Sequence, residues 1–384
     1  MSFFEIPKMK EKPKEELYGP EQIRDAMEMS ESSEGVWDET VNLLVERARA
    51  LHEGTTMKED VKKGNIALFV APGAIRGAYG GGEVIEFHKR GLTEGLSTVV
   101  GVSVGALVLA YLLSKKPEVG ARIFSEECLS KEFLDLKYRL MDKDTLNIKF
   151  LQEVITGNGP DPNKALDEEC IRNASPDFFV AVAKYYSDNN EGALLRLNNA
   201  KKPKNIIKTL IASATIPSLY SKPIHIPDAP YESKNEDASN EDVLPTEYTD
   251  GAAWRPLPIA ETLSELKRLG KPLPTHIIVF ANTPNPEKLH RIDQITDRAD
   301  KILASVNFLP TDVADGWMNR EKRFRDGLDA LKKSGIRYTI FWSDNTVNDL
   351  ETNKGKIRAA VEGARMHMSD QIEQALARHG ERTA

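Results

Sequence analysis

Two hydrophobic patterns alternate along the chain. Short, mostly apolar runs occupy residues 66–70, 178–182, 276–280 and 338–342, with another around Val99 and Val100. Runs of this length, rich in Val, Ile and Phe, predict strands buried on both faces. Between them lie stretches with helical spacing. Trp37, Val41, Leu44, Ala48 and Leu51 recur at intervals of four, three, four and three, which puts them on one face of a helix. Further helices are expected at 20–29, through Val84, Ile85 and His88, and at 262–269, 320–333 and 356–378, with 30–35 as a loop. From Asn65 onward the order is strand, Gly-rich segment, helix, strand, helix. That order predicts an α/β protein with a mainly parallel sheet.

The pattern also divides the chain. Residues 1–62 read as an N-terminal helical extension that begins with a charged, proline-containing stretch at 8–16. The apolar face of the 37–51 helix can dock on its own domain, on another subunit or on a membrane surface, and docking on its own domain is expected. Residues 63–285 form the core and 286–384 a C-terminal α/β extension packed on it. One segment departs from the rest: 228–247 carries Asp228, Glu232, Glu236, Asp237, Glu241, Asp242 and Glu247 against the single Lys234. It reads as a solvated loop, and its place before Asp250 also suits a lid.

Composition narrows the class. The chain has 384 residues, 40% of them hydrophobic and 29% charged, as in ordinary soluble globular proteins. A net charge of −7 argues against a general nucleic-acid binder. The two cysteines, Cys128 and Cys170, lie far apart and make neither a metal-ligand cluster nor a disulfide framework. The N-terminus has no signal-peptide core, and no run approaches the about 20 apolar residues that span a bilayer. A cytoplasmic protein is expected.

The chemistry centres on Gly101-Val102-Ser103-Val104-Gly105, where the second strand feeds directly into an apolar helical run. A serine at so sharp a turn needs small flanking residues, and its hydroxyl then stands above a helix N-terminus, where negative charge is favoured. The bland reading is a tight turn with a hydroxyl cap. The segment Gly73 to Gly82 has neither a dinucleotide fingerprint nor a P-loop lysine. It reads as a loop of small residues whose N–H groups converge on an anion. None of the seven histidines (His52, His88, His225, His276, His290, His367 and His379) sits in a telling motif. Asp250 is expected in a turn, in Thr249-Asp250-Gly251-Ala252.

Taken together these blocks resemble the patatin-like phospholipase family. Ala67-Leu68-Phe69-Val70 followed by Gly73, Arg76 and Gly77 is similar to its strand and oxyanion loop, and Gly101 to Ala106 matches its serine elbow. Ile211-Ala212-Ser213-Ala214-Thr215-Ile216-Pro217 resembles its Ala-Ser-x-x-x-Pro block, and Asp250-Gly251-Ala252 its Asp-Gly-Gly/Ala motif. The resemblance implies a three-layer α/β/α patatin-like fold and a Ser103–Asp250 dyad that cleaves esters of phospholipids or other acyl lipids. It further implies an oxyanion hole from the N–H groups of Gly73 and Ala74, Arg76 binding a phosphate or bracing the loop, and no metal or organic cofactor. Two departures stand out, Pro72 and Ala74 where the family has glycines, and a Cβ at 74 calls for a negative φ. A Ser–His–Asp esterase and a catalytically silent lipid- or protein-binding module remain open. A lipid substrate would call for peripheral membrane contact, for which two stretches are candidates, the 37–51 helix and the basic cluster Lys201, Lys202, Lys204 and Lys208. The plain reading of that cluster is a solvated loop between strand and helix. Because residues 228–247 carry almost no apolar anchor, deleting the segment should leave the thermal unfolding midpoint nearly unchanged. A collapse of that midpoint would show that the segment is part of the core.

Overall fold

The structure, a computed structural model, describes residues 19–55, 64–134, 144–186, 191–199, 205–226, 247–287 and 309–383. The 8–16 stretch, Lys201, Lys202, Lys204, His290 and the acidic residues from Asp228 to Asp242 lie outside the described residues. Nine described strands make one sheet: β1 (Glu28–Glu31), β2 (Ile66–Val70), β3 (Thr98–Val102), β4 (Asp177–Lys184), β5 (Gly192–Arg196), β6 (Ile224–His225), β7 (Glu247–Asp250), β8 (His276–Phe280) and β9 (Arg337–Trp342). Their order is β1-β9-β8-β2-β3-β4-β7-β6, with β5 also on β4. The centre, from β9 through β8, β2 and β3 to β4, is parallel, and the margins are antiparallel. One sheet thus carries strands from all three expected segments, with β1 at the edge beside β9.

The central strands are buried on both faces, and their alternate residues feed two cores. Ile66, Leu68, Val70, Val99, Phe178, Ile278, Phe280 and Phe341 point to one side. There they meet α1 (Pro20–Ala26), α2 (Val36–Glu53), α3 (Gly77–Lys89), α4 (Val104–Leu113) and the long α12 (Lys354–Thr383). Ala67, Phe69, Val100, Phe179, Ile277, Val279, Ile340 and Trp342 face α9 (Ile259–Arg268) and α11 (Arg320–Lys333). This is a three-layer α/β/α arrangement. The remaining helices are α5 (Pro117–Ser125), α6 (Ile148–Thr156), α7 (Glu168–Arg172), α8 (Ile206–Ser213) and α10 (Thr311–Met318).

The first three positions of the α2 stripe dock on its own fold, while Leu51 at its end is exposed. Trp37, Val41 and Leu44 are fully buried, and the Trp37 ring meets Phe341 edge-on at 4.9 Å. Its indole N–H donates to the carbonyl of Gln371 at 3.1 Å, and Arg378 grips buried Asp38 through two guanidinium nitrogens. The helix expected over 20–29 ends at Ala26 instead. Residues 28–31 pair antiparallel with β9, because its open backbone edge outweighs a weak local helical pattern. Glu247, the last acidic residue of the 228–247 segment, opens β7, so a deletion that spares the sheet ends at residue 246.

The Gly73–Gly82 segment is also corrected. Only its start is extended; Ala74–Arg76 form a 3-10 turn, and Gly77 onward is helix. The glycines in α3 serve close packing. A Cβ on Gly77 would lie 2.5 Å from a Val104 methyl, and one on Gly82 only 2.2 Å from the Val361 carbonyl oxygen of α12. Gly82→Ala should therefore push α3 from α12 and cost about 1–3 kcal/mol, as overpacking does. Urea denaturation measures it, and wild-type stability would contradict the close approach.

Candidate active site

The site forms where two strands share one edge of β4. Phe179, Val180 and Ala181 pair with β3 on one side and β5 on the other. Val182 and Ala183 pair with β5 and with β7. A strand has only two edges, so β3 and β7 lie on the same edge and meet end to end. The register places Val102 beside Ala181 and Asp250 beside Val182, consecutive residues of β4. Ser103, which follows Val102, is thereby brought against Asp250. Its Oγ donates to Asp250 Oδ2 at 2.6 Å.

Local geometry makes the elbow. Ser103 has φ 56° and ψ −129°, a conformation that costs a non-glycine residue roughly 1–3 kcal/mol. It links β3 directly to α4, and both flanking glycines are demanded by contact. A Cβ on Gly101 would sit 2.4 Å from Ala106 Cα, and one on Gly105 only 2.1 Å from the Val70 carbonyl oxygen. Asp250 is both the last residue of β7 and the cap of the 3-10 turn Gly251–Ala253, so the expected turn begins at it. Gly251 follows because the Ala181 carbonyl oxygen would lie 2.2 Å from any Cβ there.

Asp250 is completely buried, and burial pushes its carboxyl up to about 7. The Ser103 hydroxyl, the Ala252 N–H on Oδ1 at 2.8 Å and the charge of Arg320 pull the other way. The carboxylate thus titrates near neutrality with a hydroxyl proton in hand. None of the six described histidines lines either cavity beside Ser103. His367 Nδ1 lies against the Arg24 carbonyl, and His276 Nδ1 against the Thr275 hydroxyl.

Those two cavities have different linings. A cleft of about 140 Å³ is bordered by Gly73, Ala74, Arg76, Ser103, Trp317 and Arg320. A second of about 80 Å³ is almost wholly apolar, with Val104, Leu107, Phe124, Leu151, Ile155 and Leu219 among its walls. Ser103 and Ala74 border both. The Gly73 and Ala74 N–H groups donate to no group among the described residues. The backbone at Ala74 has φ 47°, against the expected negative value, because the chain must turn into the 3-10 segment. Pro72 lies outside that pair, and its missing N–H removes neither donor.

The profile of the patatin-like phospholipase family matches residues 69–263, just over half of the chain. The chain belongs to that family. No curated protein sequence matches it. Among solved structures it is similar to VipD from Legionella pneumophila, at 11% identity and TM-score 0.37, over 81% of this chain and 67% of that one. It is also similar to human GIVD cytosolic phospholipase A2 in complex with methyl gamma-linolenyl fluorophosphonate and terbium chloride, at 11% identity and TM-score 0.40, over 90% and 64%. The chain thus spans about two thirds of the length of each.

The Arg76 guanidinium pairs with Asp349 at 2.6 Å, and the Asp349 carbonyl accepts from Ile75 N–H at 3.2 Å. Asn282 supports the same loop, donating to the Ala71 carbonyl at 2.8 Å and accepting from Gly80 N–H at 2.9 Å. Sequence reasoning missed Asn282, Asp349, Trp317 and Arg320. They carry no local motif and reach the site only through the fold. Left-handed backbone at Ala74 costs about 1–2 kcal/mol, and glycine's extra chain entropy offsets about 0.5–1 kcal/mol of any relief. Ala74→Gly should therefore hold stability or raise it by up to about 1 kcal/mol in urea denaturation. A clear loss would contradict the φ at this position.

Proposed function

We propose that this chain is a serine acyl hydrolase that cleaves ester bonds of phospholipids or other acyl lipids. The observation that carries the reading is the 2.6 Å Ser103–Asp250 hydrogen bond at the junction of a cleft that carries Arg76 and Arg320 and an apolar pocket. An acyl chain would enter the apolar pocket, which leaves its ester carbonyl at Ser103 and its leaving group in the cleft. Asp250 takes the hydroxyl proton as Ser103 attacks. The Gly73 and Ala74 N–H groups, with the N-terminus of α4, receive the oxyanion. Asp250 returns the proton to the departing alcohol, and water then resolves the acyl-enzyme by the same steps in reverse.

A histidine base finds no support among the described residues, and alanine variants of all seven histidines, His290 included, should keep activity. The silent-module reading has a single test: a fluorophosphonate should label Ser103, and absence of labelling would favour binding without catalysis. No helix among the described residues is long and apolar enough to cross a membrane, so a lipid substrate would be met by peripheral contact.

Asp250→Asn should reduce turnover of a soluble ester by about 100- to 10,000-fold, the range for loss of a general base. Near-normal turnover in a folded variant would remove the dyad. The sign of the pH dependence follows from the raised carboxyl: only the ionised form accepts the proton. In wild type, kcat/KM should therefore rise with pH to a plateau, with a midpoint near the carboxyl's value of about 7. A midpoint near 4, where an ordinary carboxylate titrates, would show that burial does not tune the base.

A further inference from the structure

We infer that Ser213 is a positioning residue that holds the nucleophile elbow through its backbone, an inference that rests on the hydrolase reading above. Ser213 is the last residue of α8 and is fully buried. Its Oγ accepts from the backbone N–H of Ser103 at 2.9 Å and donates to the Ala181 carbonyl at 2.7 Å. The direction of both bonds is fixed by chemistry. An amide N–H can only donate and a carbonyl can only accept, so the one hydroxyl proton must point at Ala181.

The position of those two partners gives the contact its meaning. Ala181 is the last β4 residue paired with β3, and Val182, the next, is paired with Asp250. The Ser213 hydroxyl therefore sits at the point where the serine strand and the aspartate strand both end. The same chain turn reaches the other partner. The Thr215 carbonyl, two residues on, accepts from the Asp250 N–H at 3.2 Å and from the Thr249 hydroxyl at 2.9 Å. One short segment, Ser213 to Thr215, ties the backbone of both members of the pair.

Two consequences follow. The Ser103 N–H is occupied by Ser213, so it is withheld from the oxyanion, which leaves the Gly73 and Ala74 N–H groups and the N-terminus of α4 to receive it. The strained Ser103 backbone is also held against relaxing, which would swing the hydroxyl off Asp250. Loss of the tether should misplace the nucleophile without altering the pockets that bind substrate. It is a kcat effect, with KM preserved.

The test compares wild type, Ser213→Ala, Asp250→Asn and Ser97→Ala on a soluble acyl ester. Ser97 donates a hydroxyl bond to the Ile66 carbonyl at the opposite end of the sheet and controls for loss of a hydroxyl bond as such. Ser213→Ala should lower kcat by about 10- to 100-fold, the scale of a small misplacement of reacting groups, and keep KM within about twofold. Hydrogen exchange should quicken in the peptide that contains the Ser103 amide, and fluorophosphonate labelling of Ser103 should slow. Ser97→Ala should retain wild-type kcat. Ser213→Ala turnover within about twofold of wild type, with unchanged exchange at Ser103, would overturn the tether. That result leaves the hydrolase reading standing, because wild-type turnover and its loss in Asp250→Asn test that reading separately. A Ser213→Ala variant that loses kcat only in proportion to its unfolded fraction, read from its melting curve, would also overturn the proposal.

Discussion

A hydroxyl and a carboxylate, 2.6 Å apart and shut away from water, set the terms for the surrounding structure. A carboxylate without solvent is expensive, and the fold offsets that cost with the Ser103 hydroxyl on one oxygen and the Ala252 N–H on the other. The same burial that makes Asp250 costly pushes its carboxyl up to about 7. Each neighbouring feature serves to hold this pair: the left-handed Ser103 backbone, the glycines that admit close passage of other chain segments, and the end-to-end meeting of β3 and β7 on β4.

The two faces of the sheet divide the work. On one face Val104, Leu107 and Phe124 leave an apolar pocket open beside Ser103, while α12 covers the sheet and packs α3 tightly through Gly82. Residues from α10 and α11 supply one wall of the larger cleft, with the Arg320 guanidinium 4.8 Å over the Trp317 ring. These residues lie beyond the part of the chain that matches the family profile. The shared elbow and aspartate thus face a wall that the C-terminal region builds.

How much was legible in the chain depends on the kind of element. The five strands with mostly apolar runs, β2, β3, β4, β8 and β9, are the five parallel ones, because burial on both faces writes itself into consecutive residues. The antiparallel strands β1, β5, β6 and β7 are short or half-buried and left no such mark. Gly80, Gly81 and Gly82 were legible as a need for small size, but their purpose was misread. A glycine required by a loop and one required by a neighbouring helix look the same in sequence.

The sequence by itself determined the elbow at Ser103, the parallel core and the α2 face, since each depends on side-chain size or polarity within a few residues, while the candidacy of Asp250, Gly73, Ala74 and Arg76 came from the resemblance of their blocks to the family. Only the tertiary structure decided which residues meet. That Asp250 ends a strand, that Ala74 turns left-handed, that Asp349 takes Arg76 and that Ser213 reaches Ser103 are matters of pairing between segments distant in the chain. The physical reason is that hydrogen bonds and close contacts across a sheet depend on register and strand order, and no local run of residues encodes either one.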